Sequence, residues 1–125
     1  MSGTRDSKLR PRFLVVEDEY FIADDLAQAL VQAGVEVVGP VGDTEEALRV
    51  AERERLDGAV LDISLHGKMV FAASQLLRAR GIPIVFATGF AQSMLPPEFA
   101  DVPLWEKPFD ADALARWMRT DLSAA

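Results

Sequence analysis

Short apolar runs that alternate with stretches of helical spacing constrain this chain more than any other feature. The runs are Phe13-Leu14-Val15-Val16, Val35-Glu36-Val37-Val38-Gly39-Pro40, Ala59-Val60-Leu61, Ile84-Val85-Phe86-Ala87 and Leu104-Trp105-Glu106. Near-continuous apolar runs bounded by turn residues read as strands buried on both faces. Between them, Ile22, Leu26, Ala29, Leu30 and Ala33 recur at helical spacing. So do Ala47, Leu48 and Ala51, then Ala72, Ala73, Leu76 and Leu77, and finally Leu114, Trp117, Met118 and Leu122. Repeated strand–helix alternation predicts an α/β domain: one doubly wound, five-stranded parallel sheet with helices on both faces.

Local signals set the boundaries. Gly34 ends the first helix, and Glu36 places the second strand at an edge of the sheet. Asp43 or Thr44 caps a second helix that runs to about Arg55. A third helix spans about Met69 to Arg80, and Gly81 stops it. Pro96-Pro97 interrupts the stretch from Ala91 to Val102, which predicts a short or irregular, mobile helix there. Asp110 caps the last helix, and Trp105 and Trp117 are expected to be packing residues. Residues 1–12 are expected to form a flexible leader, with one domain over 13–123.

Composition closes several functional classes. A chain of 125 residues suffices for one core. With no cysteine there is neither a disulfide framework nor a cysteine metal site. A formal net charge of −7 argues against nucleic acid as the main partner, because phosphate binding needs a basic face. No apolar run is long enough to span a bilayer and no signal peptide is apparent, so a cytoplasmic location is expected. No glycine-rich dinucleotide fingerprint and no P-loop follow the first strand.

What stands at the strand ends carries the chemistry. Glu17-Asp18 follows the first run, Asp62 the third, Thr88 the fourth and Lys107 the fifth. In a parallel sheet these points share one edge, where open α/β folds bind ligands. Three carboxylates there raise each other's pKa and repel. Lys107 offsets part of that charge, and a divalent cation would offset the rest. All-oxygen ligation suits Mg²⁺, and such a site matches phosphoryl transfer.

In this order, Glu17-Asp18, Asp62, Thr88 and Lys107-Pro108 resemble the receiver domain of bacterial two-component response regulators. Phe86-Ala87-Thr88-Gly89-Phe90 is further similar to the FAT GUY subgroup. The resemblance covers roughly Phe13 to Ser123. It implies the flavodoxin-like receiver fold with strand order 2-1-3-4-5. It implies that Asp62 accepts a phosphoryl group from a phosphohistidine on a sensor histidine kinase or histidine phosphotransfer protein. Asp18 would bind Mg²⁺ directly, Glu17 mainly through water, and the Ser64 carbonyl would add a ligand. Thr88 would donate its hydroxyl to a phosphoryl oxygen, Lys107 would pair with the phosphoryl group, and the Lys107-Pro108 bond would be cis. The chain would be a self-phosphorylating acceptor and not an enzyme. It would be a monomeric, single-domain regulator acting through protein contacts or as a phosphate sink or shuttle.

Two departures from the receiver pattern stand out. Leu104 replaces the aromatic residue usual three positions before the lysine, which makes Phe90 the candidate switch partner of Thr88. The loop after Asp62 lacks its usual proline and carries His66, the one histidine, read as an exposed loop residue. Tyr20 and Phe21 are candidates for docking the phosphodonor protein. Two other readings remain: an unphosphorylated interaction module, and a haloacid-dehalogenase-like phosphatase. The second would need a general acid at Ser64, which serine cannot provide.

Overall fold

The computed structural model describes residues 10–122; the expectations for residues 1–9 and for Ser123 lie outside them. Five parallel strands form the sheet: β1 (Arg12–Val16), β2 (Glu36–Val41), β3 (Gly58–Leu61), β6 (Ile84–Thr88) and β7 (Leu104–Glu106). Their order is β2-β1-β3-β6-β7. Among the described residues the four α-helices are α1 (Tyr20–Gln32), α2 (Thr44–Arg53), α3 (Phe71–Ala79) and α4 (Ala111–Trp117), the last continuing into a π-turn over Met118–Leu122.

Strand alternation sorts the core onto two faces. Leu14, Val16, Ala59, Leu61, Ile84 and Phe86 pack with Ala47 and Ala51 of α2 and Ala73 and Leu77 of α3. Phe13, Val15, Val60, Val85 and Ala87 pack with Leu26, Ala29 and Leu30 of α1 and Leu114 and Ala115 of α4. Gly58 must be small, because a Cβ there would come within 3.0 Å of Phe13 and Leu122.

The caps follow their residues. Asp43 accepts a hydrogen bond from Glu46 N–H, and Asp110 accepts one from Ala113 N–H. Gly34 and Gly81 leave α1 and α3 with φ of +88° and +76°. At the edge strand β2, Gly39 has φ +101° and the Gly39-Pro40 bond is cis. The β1–β2 register shifts there, which fits an edge strand that proline and glycine bend.

Several expectations need correction. The third helix begins at Phe71, because Lys68–Met69 (β5) pairs back antiparallel with Ser64–Leu65 (β4). His66 (φ +50°) and Gly67 (φ +82°) form the two-residue turn, the type I′ pattern that matches strand twist. Leu48 and Ala72 face solvent, because only part of each short apolar stripe meets the sheet. The short, irregular helical stretch expected before β7 takes the form of two 3₁₀ turns, Gln92–Met94 and Pro97–Phe99. Pro97 opens the second, where its missing N–H costs nothing.

Candidate functional site

Backbone pairing at the strand ends brings the acids together. Glu17 N–H donates to Val41 O and Asp62 N–H to Val16 O, each at 2.9 Å. Lys107 N–H donates to Thr88 O at 2.8 Å. These bonds extend β1, β3 and β7 by one residue each, and Thr88 ends β6, so Glu17, Asp62, Thr88 and Lys107 stand at one edge. Glu17, Asp62 and Thr88 are buried, at 5%, 7% and 0% exposure.

Lys107 is the hub. Its Nζ lies 2.8 Å from Asp62 Oδ2, 3.0 Å from Glu17 Oε1 and 2.7 Å from Glu19 Oε1. The ammonium is held above the ordinary lysine range: burial opposes its charge, but hydrogen bonds to Asp62, Glu19 and Glu17 outweigh that cost. Glu17 is pushed up to about 7 chiefly by burial, with the charge of Asp62 adding to it. The N–H of Glu19 and the Lys107 ammonium partly offset that rise. Asp18 departs from the expected mutual rise. Partial burial raises its pKa, but hydrogen bonds from His66 N–H and with Glu17 hold it below the usual carboxylate range.

Carboxylate oxygens of Glu17, Asp18 and Asp62 lie within 4.8 Å of one another. Three hard oxygen donors in that compass fit a Mg²⁺ ion, which takes carboxylates and retains waters. Ser64, one residue beyond Ile63 in β4, stands beside them on the chain and is partly buried. Thr88 Oγ1 accepts a hydrogen bond from Phe90 N–H at 3.2 Å. Phe90 and Leu104 are both half-buried against the core face shared with α2 and α3. Tyr20 and Phe21 are 73% and 80% exposed at the start of α1, with their rings edge to face at 5.4 Å. Trp105 and Trp117 pack together, ring centroids 6.0 Å apart, as expected. The Lys107-Pro108 bond is cis.

Sequence reasoning missed two participants. His66 is exposed as expected, yet its N–H donates to Asp18 Oδ2 at 2.9 Å and its Nδ1 lies 3.5 Å from the same oxygen. A two-residue turn ending in Gly67 was the available signal. Glu19, the third acid after β1, reaches Lys107 across the mouth, a pairing that no spacing encodes.

Comparison with known proteins agrees with this geometry. The family model for the response regulator receiver domain matches residues 13–118. The transcriptional regulatory protein PdtaR of Mycobacterium tuberculosis is 38% identical over 88 residues, covering 70% of this chain and 43% of its own. The chain thus spans less than half the length of the curated relatives it matches. The solution structure of SdrG from Sphingomonas melonis Fr1 superposes with a TM-score of 0.75 at 36% identity, covering 86% of this chain and 92% of that one. The receiver domain of a sensor histidine kinase from Pseudomonas aeruginosa PAO1, solved with magnesium coordinated in its active site cleft, gives 0.75 at 25% identity. It covers 93% of this chain and 99% of that one.

Proposed function

Because this chain belongs to the response regulator receiver domain family, we propose that it accepts a phosphoryl group on Asp62 from a phosphohistidine and signals in that state through protein contacts. The observation that carries this reading is the 2.8 Å contact of Lys107 with Asp62, in a mouth where Glu17 and Asp18 converge on the same point.

An Asp62 oxygen attacks the phosphorus in line. The P–N bond of the phosphohistidine breaks, its electron pair passes to the imidazole nitrogen, and an acyl phosphate forms on Asp62. Water later attacks that phosphorus, returning the carboxylate and inorganic phosphate. Lys107, already on Asp62, turns a donor to a phosphoryl oxygen. Thr88 rotates its hydroxyl to another, giving up its bond with the Phe90 N–H. That exchange makes Phe90 the element that reports phosphorylation, with Leu104 packed against the same core face. Bound Mg²⁺, held by Glu17, Asp18, Asp62 and the Ser64 carbonyl, would supply charge neutralisation at the transferred oxygens.

The donor in this reading is a sensor histidine kinase or a histidine phosphotransfer protein in the cytoplasm, and Tyr20 and Phe21 offer it an apolar contact. Among the described residues no helix is long and apolar enough to cross a membrane. The protein then consumes its own phosphoryl group and turns over no separate substrate. The test is intact-mass analysis after incubation with phosphoramidate and Mg²⁺. One phosphoryl group on wild type, absent from Asp62→Asn and from samples in EDTA, is expected. No adduct on wild type would overturn the reading in favour of an unphosphorylated interaction module.

A further inference from the structure

A lysine ammonium has three N–H donors and no acceptor, and Lys107 has three carboxylate neighbours: Asp62, Glu17 and Glu19. The first two belong to the buried site. Glu19 does not. It is the N-cap residue of α1, yet its side chain makes no capping bond. It is 61% exposed and makes the shortest of the three contacts, 2.7 Å. Short polar side chains turn back on the helix N-terminus from that position, and glutamate is not among them. Here it reaches outward across the mouth to Lys107 instead.

We propose that Glu19 is a positioning and specificity-determining residue. It holds the outer donor of Lys107 and sets a negative charge at the mouth, which disfavours small anionic phosphodonors relative to a phosphohistidine carried on a docked protein. The inference rests on phosphoryl acceptance at Asp62. An exposed ion pair contributes little to stability, so the effect of Glu19 belongs to rates. A free donor arrives as an anion and meets the Glu19 carboxylate, while one donor of Lys107 is withheld from its oxygens. In each case the new O–P bond to Asp62 forms as the donor's own bond to phosphorus breaks, acetate leaving from acetyl phosphate and ammonia from protonated phosphoramidate. A protein-borne donor brings contacts beyond the phosphoryl group, and exposed Tyr20 and Phe21 adjoin Glu19 to receive them. A small molecule brings none.

The experiment compares second-order phosphorylation rates of the full chain with acetyl phosphate and with phosphoramidate, at saturating Mg²⁺, for wild type, Glu19→Gln and Asp24→Asn. Asp24 lies on the same helix but bonds Gln28, so its variant removes an equal charge away from Lys107. Glu19→Gln is expected to speed acetyl phosphate by about threefold or more, and the less charged phosphoramidate by less, because charge at a cleft mouth steers encounter. Asp24→Asn should stay near wild type. In metal-free protein, ¹⁵N NMR should show faster solvent exchange of the Lys107 ammonium protons in Glu19→Gln. Unchanged or slower phosphorylation of Glu19→Gln, equal effects for the two donors, or unaltered ammonium exchange would overturn the proposal. If neither wild type nor Glu19→Gln takes a phosphoryl group from either donor, the reading of Asp62 fails and this inference fails with it. If wild type is phosphorylated and Glu19→Gln matches it, the role of Glu19 alone fails.

Discussion

Two regions meet at Thr88, at the end of β6, and different forces hold them. On the mouth side, Lys107 draws Asp62, Glu17 and Glu19 together. On the other, residues 89–103 form no α-helix and depend on one aromatic wedge. Phe99, 1% exposed, stacks on Phe71 at 5.2 Å and meets Phe86 edge-on at 5.6 Å. Arg78 ties the same turn down, bonding Glu98 O and Asp101. The first region is electrostatic, so metal and pH should tune it. The second is apolar and should ignore both. One short path between them runs from Thr88 Oγ1 to the Phe90 N–H.

The comparison breaks most severely if the wedge responds to metal. Phe99→Ala is expected to cost about 3–5 kcal/mol, the range for truncating a buried aromatic. Urea unfolding should give the same loss with Mg²⁺ or EDTA, and at pH 6 or 8. A loss that Mg²⁺ restores would mean that the two regions share one support.

Lys107→Ala should act in the opposite way. It leaves two buried carboxylates without their cation, at a cost of about 3 kcal/mol in EDTA. Saturating Mg²⁺ should recover most of it, since another cation then takes the same charge. Equal losses in EDTA and Mg²⁺ would show that Lys107 acts by packing.

A third effect, specific to pH, concerns Glu17. Burial raises its pKa from 4.5 to about 7, so between those values the native state keeps a proton that the unfolded chain has lost. Stability from this group is full below about 4.5 and falls as pH rises through about 7. Metal-free wild type should lose on the order of 10 °C of Tm relative to Glu17→Gln across that window. Mg²⁺ should reverse the trend, because it favours the ionised carboxylate. The asymmetry with Asp18, whose pKa is lowered, sharpens the same point: within the mouth, burial and the His66 N–H set opposite signs on neighbouring acids.

The sheet was legible because its information is periodic. Apolar runs and helical stripes placed all five main strands with helices on both faces, and parallel topology alone put Glu17, Asp62, Thr88 and Lys107 on one edge. The missed features depend on contacts that no period carries. The hairpin around His66-Gly67 is two residues per strand, too short to show alternation, and it hid the bond from His66 to Asp18. Glu19 stands at a helix start in the sequence, and only the placement of β7 brings Lys107 to it. Pro96-Pro97 told that a helix fails in the 91–102 stretch, but not that Phe99 would anchor what replaces it.

The most direct measurement is an amide NMR titration with Mg²⁺, then Mg²⁺ plus beryllofluoride, on wild type and Asp62→Asn. Beryllofluoride stands in for the phosphoryl group on an aspartate. An acceptor site at Asp62 predicts saturable, Mg²⁺-dependent shifts at Thr88, Phe90 and Lys107 that spread into 91–104 and vanish in the mutant. Absence of those shifts in wild type, or their persistence in Asp62→Asn, would contradict it.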